Sequence, residues 1–206
     1  MTLSSKCDIL LVKDRFFLHL FYFRRLKSVN KKYDIFTLSM YGLFIALVCV
    51  MTMMVQIPVP VTNGYIHLGD SCILLVAIFF GKRAGFLAGG IGSMLADILS
   101  GYAHWAIPTL IIKSLMGLAA GYISQYYSSK SKFISLNTVV ACLVSIAIMI
   151  SGYFIASTIM KGTMASAIQS AFPNMIQGFM GILVFFVIGK AFDKIKLSQY
   201  IKKFQH

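Results

Sequence analysis

The chain has 206 residues, of which 58% are hydrophobic and only 12% are charged, and its formal net charge is +13. Soluble domains carry about a quarter charged residues, so this composition excludes an ordinary soluble domain and indicates an integral membrane protein. The four cysteines have neither paired nor metal-like spacing, which gives no sign of a disulfide framework or a metal site.

Residues 1–34 form a basic, irregular segment. The run DILLVKDRFFLHLFYFRRLK is rich in aromatic residues but is interrupted by charges too often to span a bilayer. No small-residue cleavage site follows it, so it is a poor signal peptide. We expect an interfacial amphipathic helix here. The alternatives are a flexible cytoplasmic tail or a wrongly assigned start, since Met40 lies near the beginning of the first clear span. Residues 35–206 are expected to form a membrane domain.

The rest of the chain predicts an all-α bundle of six transmembrane helices. The second apolar run has about twelve residues, or ~18 Å of helix, and is too short to cross a ~30 Å hydrocarbon core without its neighbours. The predicted spans are roughly 36–56, 70–81, 84–101, 106–126, 136–159 and 172–191.

Basic residues fall in alternate loops and therefore predict the orientation of the bundle. They cluster in 24–32, 82–83, 130–132 and 190–203, whereas the intervening loops carry few charges. The positive-inside rule then places both termini in the cytoplasm and explains the net charge without nucleic acid. The loops expected outside are 57–69, 101–105 and 160–171.

The third span carries an aspartate on a face of small residues. Gly85, Gly89, Ser93 and Asp97 recur every four residues, so they lie on one side of the helix. Small residues at this spacing allow helices to approach closely in lipid. A carboxylate in hydrocarbon is costly unless it is paired or hydrated, which makes Asp97 a candidate functional residue.

The fourth span offers a partner for that aspartate. Lys113 shares a face with Gly117 and Gly121, and its long side chain could reach toward the outer end of the helix. We therefore predict an Asp97–Lys113 pair. Two interpretations remain open: a purely structural ion pair, or a pair that lines a polar cavity open to the outside.

Further polar and aromatic residues fall at the same predicted level, the outer third of the bundle. Asp70 is interpreted as a helix cap. A surface histidine, an interfacial aromatic belt and polar contacts between helices are alternative explanations for single members of the set. Together they predict a site for a small, polar, flat ligand. The candidate substrate-binding residues are Tyr65, His67, Asp97, His104, Trp105, Lys113, Asn174 and Gln177.

Enzymatic chemistry is not expected. The chain has no GxxxxGK[ST] phosphate-binding loop. The GIGSM segment resembles the serine motif of an intramembrane protease, but the histidines, at 19, 67, 104 and 206, lie outside the clear spans. We therefore expect no catalytic residues, no cofactor and no metal.

One long stretch resembles a known family. The residues GYIHLGDSCILLVAIFFGKRAGFLAGGIGSMLADILSGYAHWAIPTLIIKSLMGLAAGYI are similar to the substrate-binding S components of energy-coupling factor (ECF) vitamin importers. The likeness runs from about residue 38 to 191 and is greatest for the riboflavin, hydroxymethylpyrimidine or pyridoxine branch. It implies six helices, an outer pocket closed by the first loop, a transmembrane T subunit, two ATPases, and an S subunit that topples in the membrane. It also implies docking on the T subunit through Gly42 and Ala46.

Three positions depart from the pattern of that family. Met116, Ser157 and Ser170 stand where related chains often carry acids. These differences bear on the identity of the vitamin more than on transport. The sequence thus predicts a subunit of the plasma membrane that captures a small vitamin or precursor for an ATP-driven importer. The competing hypothesis is a membrane scaffold in which the Asp–Lys pair only locks the helices together.

Overall fold

The structure, a computed structural model, describes residues 35–54, 56–59, 64–127 and 133–195. The predicted N-terminal segment 1–34 lies outside these ranges. The described part is mostly helical, as expected, with one small antiparallel hairpin and a short 3₁₀ helix, Ala103–Trp105. The elements in chain order are α1 (Ile35–Met54), β1 (Gln56–Val59), β2 (Gly64–His67), α2 (Gly69–Phe80), α3 (Lys82–Leu99), α4 (Ala106–Ser124), α5 (Leu136–Lys161) and α6 (Met164–Lys194).

Four of these helices are long and apolar enough to cross a membrane. They are α1, α4 with the 3₁₀ helix before it, α5, and the Ala167–Lys194 part of α6. Helix α2 is apolar but has only 12 residues. Helix α3 has 18 residues but carries three charges, Lys82, Arg83 and Asp97.

Helix α2 lies at the centre of the bundle. Every residue from Gly69 to Phe79 is buried, and the helix packs against α3, α4 and α6. Its apolar side chains, among them Ile73, Leu74 and Ile78, are fully enclosed by protein. The helix predicted as the short second span is therefore surrounded by its neighbours.

Helices α3 and α4 pack closely through glycines. A Cβ atom on Gly117 would lie 2.2 Å from the carbonyl oxygen of Gly85, and one on Gly89 would lie 2.7 Å from that of Lys113. The small residues on these faces thus serve helix packing. The close approach positions Asp97, near the end of α3, beside the start of α4.

The segment predicted as the first loop, 57–69, contains most of the hairpin. Strands β1 and β2 pair with Gln56 opposite His67 and Pro58 opposite Tyr65. Side chains two residues apart in a strand share a face, so Tyr65 and His67 project to the same side. Both lie against the helices, whereas Ile57 on β1 is 58% exposed.

Helix α6 begins earlier than the sequence indicated. The sixth span was expected to begin at about residue 172, but the helix starts at Met164 and continues through Pro173. The expected loop 160–171 is reduced to the turn at Gly162, a left-handed glycine that ends α5. The Asn174 side-chain amide donates to the Ser170 carbonyl (2.9 Å), which supplies a hydrogen bond beside the proline.

Candidate functional site

A cavity lies between the hairpin and the neighbouring ends of α3, α4, α5 and α6. Its volume is about 60 Å³, counted as the space open to the centres of water molecules. Its lining residues are Tyr65, Ile66, His67, Asp97, Trp105, Thr109, Tyr153, Ser157, Ser170, Pro173, Asn174 and Gln177.

Most of the candidate binding residues lie together in this cavity. The six that line it are Tyr65, His67, Asp97, Trp105, Asn174 and Gln177. His104 is exposed next to Trp105, with ring centroids 5.9 Å apart, and does not line the cavity. Lys113 is fully buried behind the lining residues.

Lys113 does not pair with Asp97 as predicted. Its ammonium group forms an ion pair with Asp70, and both side chains are almost completely buried. The ammonium group also contacts the Met149 sulfur at 3.1 Å and the Tyr153 ring at 5.5 Å from the centroid. Asp70 lies in the first turn of α2, and its carboxylate accepts from Lys113 and Gln177. The expected capping role is therefore replaced by a buried ion pair between α2 and α4.

Asp97 is tied to the hairpin. The Tyr65 hydroxyl donates to Asp97 Oδ1 at 2.7 Å. Burial, together with the negative charge of Asp97, raises the pKa of Tyr65, so this hydroxyl keeps its proton and remains a donor. Asp97 is only 6% exposed, and its Oδ2 atom has no hydrogen-bond partner among the described residues. The Thr109 hydroxyl lies close to the same carboxyl group and shares a hydrogen bond with Tyr153 (3.1 Å).

His67 and Gln177 connect the hairpin to the buried ion pair. The His67 backbone amide donates to Gln177 Oε1 (3.1 Å), and Gln177 Nε2 donates to Asp70 Oδ2 (2.8 Å). His67 Nδ1 accepts from the Gly69 amide (3.1 Å), so the neutral ring carries its proton on Nε2. Burial lowers the pKa of His67 to about 4, against the opposing effect of the Asp70 carboxylate and with a smaller contribution from the Lys113 charge. The ring is therefore neutral at physiological pH.

Aromatic faces form the rest of the wall. Trp105 and Tyr153 meet edge to face with centroids 5.9 Å apart, and Trp105 is only 8% exposed. Tyr65 packs against Tyr102 at 4.8 Å. Flat aromatic surfaces beside a few fixed polar groups are typical of pockets for small ring compounds.

Several residues that line the cavity were not predicted from the sequence. Thr109 lies one turn after Trp105 and one turn before Lys113, so helical spacing on α4 could have found it. Tyr153 lies one turn from Ser157 on α5 and could have been found in the same way. Ser157 and Ser170, noted only as departures from a family pattern, both line the cavity, whereas Met116 is buried in the core.

The fold has a counterpart among solved structures. It resembles a solved structure described as "Structure and mechanism of the S component of a bacterial ECF transporter", with a TM-score of 0.59. The likeness covers 77% of this chain and 96% of that one at 17% sequence identity, so it establishes the fold alone.

The sequence comparison defines the family. Residues 32–194 match the family "ECF-type riboflavin transporter, S component", and the chain belongs to this family. The resemblance seen in the sequence is thereby confirmed: this is a membrane-embedded, substrate-binding subunit of an ECF transporter, a class that works with T and ATPase modules.

Two relatives extend the comparison. An uncharacterized protein of Pyrococcus woesei is 36% identical over 137 residues, covering 66% of this chain and 88% of the relative. The "Thiamine precursor transporter HmpT" of Lactococcus lactis subsp. cremoris (strain MG1363) is 27% identical over 179 residues, covering 86% and 99%.

Proposed function

We propose that this chain captures a small water-soluble vitamin or vitamin precursor at the outer face of the plasma membrane. It then delivers this ligand across the membrane together with a T subunit and two ATPases. The observation that carries the proposal is the cavity beneath the hairpin, where aromatic faces and buried polar groups converge. Membership of the S-component family supports the same role.

The size of the cavity favours a ligand with one ring. A space of about 60 Å³ open to the centres of water molecules suits a single substituted heterocycle. Riboflavin has three fused rings and a polyol chain and would need the cavity to expand. We therefore favour a hydroxymethylpyrimidine or pyridoxine type of ligand over riboflavin. The relative named as a thiamine precursor transporter supports this choice.

The lining residues divide into ring contacts and hydrogen-bonding groups. Trp105 and Tyr65 stack on the ring of the ligand, and Tyr153 closes the wall beside Trp105. Asp97, Asn174 and Gln177 hydrogen-bond its polar substituents. His104 contributes at the rim beside Trp105. Lys113 acts indirectly, because it holds Asp70, which in turn holds the amide of Gln177.

The hairpin acts as the lid of the site. Three hydrogen bonds tie it to the helices: Tyr65 to Asp97, the His67 amide to Gln177, and Gln56 to Ser100 (2.7 Å). Each such bond contributes about 0.5–1.5 kcal/mol net, so the lid is held firmly yet can open without unfolding the bundle. Closure would exclude water from the ligand.

The topology follows the distribution of charge and small residues. We propose six membrane-inserted helices with both termini in the cytoplasm, in line with the positive-inside rule.

Docking on the T subunit takes place through Gly42 and Ala46, which are exposed on α1. A Cβ atom on Gly42 would meet nothing within 4 Å, so this surface is open to a partner helix. A Gly42→Trp variant should therefore lose the T subunit in co-purification but keep its ligand affinity.

A thermal-shift panel tests the function directly. Purified protein in detergent is heated with hydroxymethylpyrimidine, pyridoxine, riboflavin or no addition. A bound ligand at a hundredfold excess over Kd stabilises the fold by ~2.7 kcal/mol, which raises the unfolding temperature. A Trp105→Ala variant serves as the matched control and should lose this response. If no vitamin shifts the unfolding temperature of the unmodified protein, the proposal fails.

A further inference from the structure

We propose that Asp97 determines ligand specificity by accepting a hydrogen bond from an N–H group on the edge of the ligand ring. This inference rests on the proposed function and goes beyond it, because it names the chemical group that the cavity selects. The two carboxylate oxygens of Asp97 have different environments. Oδ1 accepts from the Tyr65 hydroxyl of the hairpin at 2.7 Å, whereas Oδ2 has no hydrogen-bond partner among the described residues.

The free oxygen belongs to a buried side chain in the cavity wall. Asp97 lines the cavity and is 6% exposed, so Oδ2 has been withdrawn from bulk water without receiving a protein partner. A buried acceptor in this state is destabilising until a donor fills it. A ligand that brings an N–H group supplies that donor, and a ligand of the same shape without one leaves the oxygen unsatisfied.

The charge of the lining favours the same kind of ligand. Among the described residues that line the cavity, Asp97 is the one charged side chain, because His67 is held neutral and Lys113 lies behind the wall. An anionic ligand is therefore disfavoured. An exocyclic amine or a protonated ring nitrogen is favoured, since hydrogen bonds to a charged group are the stronger kind.

A second unpartnered group lies in the wall contributed by α5. Ser157 is fully buried, lines the cavity, and its hydroxyl oxygen has no partner among the described residues. A hydroxyl can donate as well as accept, so it can pair with a ring nitrogen or with a hydroxyl substituent. The ligand class is therefore a single heteroaromatic ring that carries an amine for Asp97 and a nitrogen or hydroxyl for Ser157. An aminopyrimidine with a hydroxymethyl group has this pattern.

Calorimetric titration of the unmodified protein with two pyrimidines is the first test. Both probes carry the same ring and hydroxymethyl group, but one has an exocyclic amine and the other has hydrogen in its place. The amine should improve the affinity about ten- to a hundredfold, the range expected for a hydrogen bond to a charged group. Equal affinities for the two probes would overturn the role of Asp97.

Two variants then separate recognition from lid closure. Asp97→Asn keeps an oxygen for the Tyr65 hydroxyl but presents an NH₂ donor to the ligand, so the preference for the amine should fall to about onefold. Tyr65→Phe removes the lid contact and leaves Oδ2 in place, so both probes should weaken by a similar factor and the preference should persist. A preference that survives Asp97→Asn overturns the inference.

The outcomes also distinguish this inference from the proposed function. If neither pyrimidine binds and no other vitamin does, the proposed function itself fails. If both pyrimidines bind equally well, the vitamin-binding role stands and only the assignment of Asp97 is lost. Ligand-free melting of Asp97→Asn shows whether this variant folds. If Asp97→Asn does not fold, the ratio of the affinities of the unmodified protein for the two pyrimidines alone decides whether the amine is recognised.

Discussion

Replacing Lys113 with methionine would leave the Asp70 carboxylate buried without its cation. Both side chains are almost completely buried, and after the change Asp70 would retain only the hydrogen bond from Gln177 Nε2 at 2.8 Å. Removing one partner of a buried ion pair typically destabilises a protein by about 3–5 kcal/mol, because the remaining charge lacks both water and a partner. We expect Lys113→Met to lower the free energy of unfolding by an amount in this range.

A double-mutant cycle identifies the cause. Asp70→Asn removes the negative charge while keeping an oxygen for Gln177. When it is combined with Lys113→Met, neither buried charge remains. The double variant should therefore lose less free energy of unfolding than the sum of the losses in the two single variants. The expected interaction energy is about 2–3 kcal/mol. The free energies are measured by reversible unfolding in mixed detergent micelles.

The matched control is Lys190→Met, which removes an exposed lysine from α6. Substitutions at such positions usually change stability by less than about 0.5 kcal/mol. If Lys113→Met costs no more than this control, or if the two single effects are additive, the buried pair does not stabilise the bundle as argued.

Three other predictions concern the lid and the helix contacts. His67 has a pKa of about 4 when folded against 6.5 for an ordinary histidine, so only the unfolded chain gains a proton between these values. The contribution of neutral His67 to the free energy of unfolding should therefore be fully present above pH 6.5 and should fall by up to about 3 kcal/mol as the pH drops toward 4. In a pH series of thermal melts, the His67→Gln variant should not show this loss. Gly117→Ala places a methyl group against the Gly85 carbonyl and should cost about 1–3 kcal/mol in the same unfolding assay; an unchanged stability would contradict the close packing of α3 and α4. Gly42→Ala, on open surface, should instead be neutral or stabilise by up to about 1 kcal/mol, and a clear loss would show that this face is already occupied.

Patterns within single segments predicted where several of these side chains lie. The four-residue spacing of small residues correctly placed Gly85 and Gly117 at a close contact between two helices. The common level of Tyr65, Asp97 and Gln177 predicted residues that do line one cavity. Such inferences succeed because the periodicity of a helix determines which side chains share a face.

The pairing between helices could not be obtained in this way. Spacing shows that Lys113 faces inward, but it does not show which neighbouring helix it meets. The structure brings the first turn of α2 against this lysine, so Asp70 and not Asp97 is its carboxylate partner. The early start of α6 was missed for a related reason, because Pro173 is compatible with both a helix start and a helix interior that is supported by neighbouring contacts.

The complete enclosure of α2 connects two distant parts of the molecule. One residue, Leu68, separates the lid strand from the first turn of this helix, and its far end carries Phe79. The Phe79 ring contacts those of Tyr126, Phe133 and Phe192 at the opposite end of the bundle. Because α2 is enclosed along its length, a displacement of the lid would move the whole helix along its axis. Filling the cavity would in this way shift the aromatic cluster around Phe79, on the side of the bundle remote from the ligand.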